Sequence, residues 1–85
     1  MSEKKILVFG GSGSIGKALS IKLKENNYSP IILSRDENEL KNISEEIKCE
    51  YRVCDVLNVE RIREIAEEFK NDLFGVAYCV GSINL

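Results

Sequence analysis

Histidine is absent from the 85 residues, so a zinc site built from cysteine and histidine ligands is excluded. The three cysteines, Cys49, Cys54 and Cys79, are odd in number and show no C-x-x-C spacing, which argues against a disulfide framework. No metal site is expected. No long apolar run occurs near the start either: only Ile6 to Phe9 separate the polar Met1–Lys5 segment from Gly10. Four residues are too few for the core of a signal peptide or for a membrane span. A cytoplasmic protein with no membrane partner is the expectation. Charge of one sign is lacking too, since 12 basic residues stand against 14 acidic ones for a net charge of −2. With no basic stripe, no nucleic-acid partner is expected.

What remains is ordinary for one small domain. A chain this short buries roughly 60–65% of its unfolded surface, so its core is thin. Ile6-Leu7-Val8-Phe9 reads as a strand buried on both faces. After the glycines, Ile15, Leu19 and Leu23 fall on one helical stripe that ends near Asn26-Asn27. Pro30 opens a second strand, Ile31-Ile32-Leu33, at a position where proline is tolerated. Asp36 with Glu39 reads as a capping box, and Leu40, Ile43 and Ile47 continue the helix behind it. A third strand is expected over residues 50–54. Asn58 is a plausible N-cap for a helix carrying Val59, Ile62, Ile65, Ala66 and Phe69. Phe74 to Val80 form a fourth apolar run, in which Tyr78 is expected to be core. Cys54 and Cys79, inside strand patterns, are expected to be buried small hydrophobes.

Strand and helix alternate throughout. The pattern therefore predicts an α/β fold: a three-layer, doubly wound parallel sheet of Rossmann type, cut off after four strands in the order 3-2-1-4. Residues 1–85 are expected to form part of a nucleotide-binding domain.

The most informative segment is Phe9-Gly10-Gly11-Ser12-Gly13-Ser14-Ile15-Gly16. Gly11, Gly13 and Gly16 satisfy G-x-G-x-x-G between a strand and a helix. Glycine suits the sharp turn, where positive φ is expected, and the close approach of backbone to a pyrophosphate. The phosphates would rest on the amides and positive dipole end of the first helix, with Ser12 and Ser14 adding hydroxyls. Gly10 through Gly16, Ile15 included, are candidate cofactor contacts.

Two further signals follow. Ser34-Arg35-Asp36 stands at the end of the second strand, where an NAD enzyme usually carries an acidic residue for the ribose. Arg35 suits a 2′-phosphate instead, and Asp36 is better placed as a helix cap. NADP is therefore favoured, with NAD as the alternative, and Ser34 and Arg35 join the candidate contacts. Asp55, followed by Val56, could accept a hydrogen bond from the adenine amino group or could cap a turn.

Together these segments, with Tyr78-Cys79-Val80-Gly81, resemble the short-chain dehydrogenase/reductase family over about the first third of a family member. The resemblance implies that Gly10 to Gly16 bind pyrophosphate and that Arg35 selects NADP. It also implies that Asp55 and the Val56 backbone hold adenine, and that Val80 and Gly81 line the cofactor ribose. Phe9 stands where the family turn usually has threonine, and Tyr78-Cys79 replaces a double asparagine. Glycines at 10, 13 and 16 fit the epimerase and dehydratase branch instead.

The family reduces carbonyls with a Tyr-x-x-x-Lys pair and a serine, and no such pair exists here. Tyr28, Tyr51 and Tyr78 are followed four places on by Ile32, Asp55 and Ser82. No catalytic residue is assigned, and the chain alone is expected to be inactive. The reading is the cofactor-binding fragment of an NADP-dependent, homo-oligomeric reductase acting on a small carbonyl or alcohol. The alternatives are a non-catalytic NAD(P)-binding or sensing module and a nucleotide-sugar epimerase or dehydratase.

Overall fold

The computed structural model describes residues 4–10 and 13–78. Along the chain come β1 (Lys5–Phe9), α1 (Ser14–Glu25), β2 (Ser29–Ser34), α2 (Glu37–Ile47), β3 (Glu50–Val53), α3 (Val59–Glu68) and β4 (Leu73–Tyr78). All neighbouring strands are parallel, and the sheet runs β3-β2-β1-β4 as expected.

The two central strands are apolar at nearly every position because both their faces are covered. Their side chains alternate between two separate cores. Leu7, Phe9, Ile31 and Leu33 meet Cys54, Ile65 and Phe69 under α3. Ile6, Val8 and Ile32 meet Leu40, with Leu19, Leu23 and Ile43 packed alongside, under α1 and α2. One face of the sheet thus rests on a single helix and the other on two.

Pro30 is the second residue of β2 rather than its first. The first rung between β2 and β3 pairs Ile31 with Glu50, so the missing N–H of Pro30 falls before the ladder begins.

Four expectations need correction. Ile15 is 62% exposed and Val59 is 64% exposed, so neither joins its helical stripe. Each lies in a first turn beside a strand-to-helix loop, before its helix has come over the sheet. In α1 the buried positions are Gly16 and Ser20, and the Ser20 hydroxyl donates to the Gly16 carbonyl at 2.8 Å. Tyr78 is 63% exposed rather than core, with its ring stacked 4.9 Å from that of buried Phe9. It sits on an edge strand that α3 does not reach across to cover. Finally, only half of the capping box forms. Asp36 Oδ1 accepts the Glu39 N–H at 3.2 Å, but the Asp36 N–H donates to Ser34 Oγ at 3.4 Å rather than to Glu39.

Cys54 is buried as expected, and Cys79 lies outside the described residues. Burial pushes the Cys49 and Cys54 thiols up, so both remain protonated near neutral pH.

A charged network fastens α3 to the sheet at the end away from the glycine turn. Lys5 Nζ donates to Glu50 Oε2 at 2.7 Å. Arg52 grips Glu68 with two donors, Nε to Oε1 at 3.2 Å and Nη2 to Oε2. Lys5 Nζ and Arg52 Cζ each lie 5.0 Å from the Phe69 ring centroid, so two cations flank one aromatic ring.

Phe69 is only 7% exposed and closes the core beneath the lone helix. Phe69→Ala is expected to cost about 3–5 kcal/mol, measured by urea denaturation. The Arg52 guanidinium holds the Glu68 carboxyl below its ordinary value, chiefly through their hydrogen bonds. A depressed native pKa gives stability that is present above about pH 4 and lost as pH falls through the native value. For this exposed pair the loss in Glu68→Gln is expected to be about 0.5–1 kcal/mol at pH 7. The difference from the parent chain should shrink as pH falls below the ordinary carboxylate value and through the lowered native one in denaturant titrations.

Candidate functional site: the C-terminal edge of the sheet

A parallel sheet brings every strand-to-helix loop to one edge. Here that edge is stitched by backbone bonds that run past the strands. The Gly10 N–H donates to the Leu33 carbonyl, and the Cys54 N–H donates to the Ser34 carbonyl, both at 2.8 Å. The segments after β1, β2 and β3 therefore lie side by side. The loop after β1 also sits where the strand order reverses, between β1 and β4. Such a switch point leaves a crevice for a ligand.

Gly10 leaves β1 with φ of 80°, in the left-handed region where a side chain costs about 1–2 kcal/mol. The positive φ expected of the glycine turn is realised at this residue. The Gly13 N–H then donates to the Gly10 carbonyl at 3.0 Å, and extended Gly13 forms the N-cap of α1. The first helical bond runs from the Lys17 N–H to the Gly13 carbonyl at 2.8 Å. The amides of Ser14, Ile15 and Gly16 precede it and have no intrahelical acceptor.

The other two helices start differently. Asp36 Oδ1 caps α2, and Asn58 Oδ1 caps α3 by accepting the Arg61 N–H at 3.1 Å. Glu37, Glu39 and Glu60 add negative charge to those first turns. The start of α1 has no side-chain cap and no acidic residue in its first turn. Among the described residues nothing compensates its amides and dipole, which suits an anion.

Ser34 is half-buried at the end of β2. Arg35 beside it is exposed, and its guanidinium has no hydrogen bond or ion pair among the described residues. Asp36 serves as the helix cap, as read from the sequence. Asp55 performs the turn-capping role that had been weighed for it: Oδ1 accepts the Leu57 N–H at 2.9 Å, and its carbonyl accepts the Asn58 N–H at 2.8 Å. Its other carboxylate oxygen has no hydrogen bond among the described residues. Val56 packs against the core under α3. Gly11, Ser12, Val80 and Gly81 lie outside the described residues.

The edge thus brings together Gly10, Gly13, Ser14, Ile15 and Gly16 from the first loop with Ser34 and Arg35 from the second and Asp55 and Val56 from the third. Exposed Ile15 and Leu57 flank this edge; sequence reasoning did not single out Leu57, whose only signal is its place after Asp55. Among the described residues no group of three or more acidic, cysteine or histidine side chains could hold a metal. No helix there is long and apolar enough to cross a membrane.

Comparison with known proteins agrees with this geometry. The family described as polysaccharide biosynthesis protein matches residues 6–78. Carbonyl reductase family member 4 of Xenopus tropicalis is 35% identical over 83 residues, which cover 96% of this chain and 35% of that protein. An NADPH-dependent reductase of Bacillus subtilis is 32% identical over 57 residues, or 67% of this chain and 22% of that protein. The chain therefore spans about a third or less of these curated relatives. A short-chain dehydrogenase from Shigella flexneri, solved with NADP, superposes with a TM-score of 0.80 at 22% identity, over 99% of this chain and 40% of the other. The chain belongs to the family described as polysaccharide biosynthesis protein, and it shares the Rossmann-type fold of solved short-chain dehydrogenases.

Proposed function

We propose that this chain binds NADP as the cofactor-binding part of a reductase that transfers hydride between the nicotinamide and a small carbonyl or alcohol. The observation that carries the reading is the start of α1, uncapped and free of acidic side chains beside two helices that are both capped. Pyrophosphate would take the place of the missing cap, accepting from the amides of Ser14, Ile15 and Gly16. Gly11, Ser12 and Gly13 would complete the cradle. Arg35, with no partner among the described residues, would pair with the 2′-phosphate, and Ser34 would lie against the same ribose. Asp55 has one carboxylate oxygen left for the adenine amino group, and the Val56 backbone would hold the ring. Val80 and Gly81 would line the other ribose.

Resemblance to a carbonyl reductase and to an NADPH-dependent reductase supports both the reaction class and the cofactor. This chain's own share is binding and orientation, since none of its tyrosines is followed four places on by lysine. A second reading, an epimerase or dehydratase acting on nucleotide sugars, is favoured by the polysaccharide biosynthesis description and by glycines at 10, 13 and 16.

Calorimetric titration separates the two. NADPH is expected to bind more tightly than NADH. Arg35→Ala is expected to weaken NADPH by about 10–100-fold, the worth of a charge-assisted hydrogen bond, while leaving NADH unchanged. Preference for NADH in the parent chain would favour the epimerase reading. Absence of binding by either nucleotide would remove the proposal altogether.

A further inference from the structure

An edge strand exposes a row of backbone groups that can template pairing with another chain. In this sheet β3 is such an edge. Its inner side is fixed by the ladder. The Cys54 N–H donates to the Ser34 carbonyl, and Ile31 and Leu33 pair with Glu50 and Arg52. Backbone groups alternate from side to side along a strand. Glu50, Arg52 and Cys54 therefore turn towards β2, and Tyr51 and Val53 turn outward.

The two outward carbonyls are the two that side chains cover. Arg52 Nη1 donates to the Tyr51 carbonyl at 2.7 Å, and Arg61 Nε donates to the Val53 carbonyl at 3.1 Å. Each guanidinium is held from behind by α3. Glu68 grips Arg52, and Glu64 Oε1 accepts from Arg61 Nη1 at 3.3 Å. Glu64 and Glu68 are four residues apart, so one face of α3 carries both anchors. Among the described residues the opposite edge has no counterpart, for β4 reads Leu-Phe-Gly-Val-Ala-Tyr without a charged residue.

We propose that Arg52 and Arg61 seal the β3 edge against strand addition by a second copy of this chain. A strand approaching that edge needs the Tyr51 and Val53 carbonyls as acceptors. Both are already engaged by donors that a new backbone would have to displace, along with two bulky charged groups. The seal is independent of cofactor binding, since it uses neither the glycine turn nor Arg35.

Light scattering after size exclusion, run from about 10 to 300 µM, tests it against the parent chain's own mass. The double variant R52A/R61A, checked for folding by circular dichroism, is expected to raise the weight-average mass at least about twofold, as an opened edge should. I62A thins the packing of α3 on the core and loosens that helix but leaves both arginines and their carboxylate anchors, and its mass is expected to match the parent chain. A folded R52A/R61A with unchanged mass overturns the proposal. So does I62A assembling as strongly as the arginine variant, because the cause would then be loss of stability. Should the double variant not fold, R61A alone keeps the Arg52–Glu68 pair. A rise in its mass supports the seal, and an unchanged mass overturns it.

Discussion

Burial of β1 and β2 on both faces is the constraint from which the remaining features descend. Leu7, Val8, Ile31, Ile32 and Leu33 are at most 1% exposed. Two adjacent strands that are apolar on both sides need cover on both sides. In a parallel sheet the crossovers supply that cover as helices. Once the crossovers are helical, every helix must begin at the edge where the strands end. The candidate ligand edge is thus a by-product of how the core is closed.

Electrostatics then distinguishes one helix start from the other two. Ordinary folding chemistry is satisfied at α2 and α3, where Asp36 and Asn58 occupy the orphan amides. At α1 the same need is left open by Gly13, which has no side chain to offer. A helix with an unmet cap gives up about 1 kcal/mol of stability. That this position is bare among the described residues, while its neighbours are capped, is what supports reading it as the seat of a bound anion.

Much of this was legible beforehand because the signals were local. The short apolar runs Ile6–Phe9 and Ile31–Leu33 mark the strands where the sheet is covered on both sides. Asp36 and Asn58 are caps by residue type and offset, and Gly10 adopts the positive φ that the turn requires. The misreadings share a different cause, which is position relative to the sheet. Ile15 and Val59 match helical periodicity, yet periodicity does not say where a helix first meets the strands beneath it. Tyr78 lies in the most apolar strand, but that strand is an edge, and its exposure follows from order in space. Arg61 carried no signal, because its acceptor is the carbonyl of Val53, eight residues away on another element.

The unequal cover of the two faces has a consequence for how the molecule breathes. The two-helix side and the one-helix side share no side chains, so they can loosen separately. The side with the single helix depends on α3 alone for its cover, so loosening of that one element opens the whole of that core. Detachment of α3 would carry away the turn at Asp55 and Val56 while leaving the glycine turn and Arg35 seated on the remaining layers. The Asp55 turn and the glycine turn would then come loose at different thresholds, the Asp55 turn first.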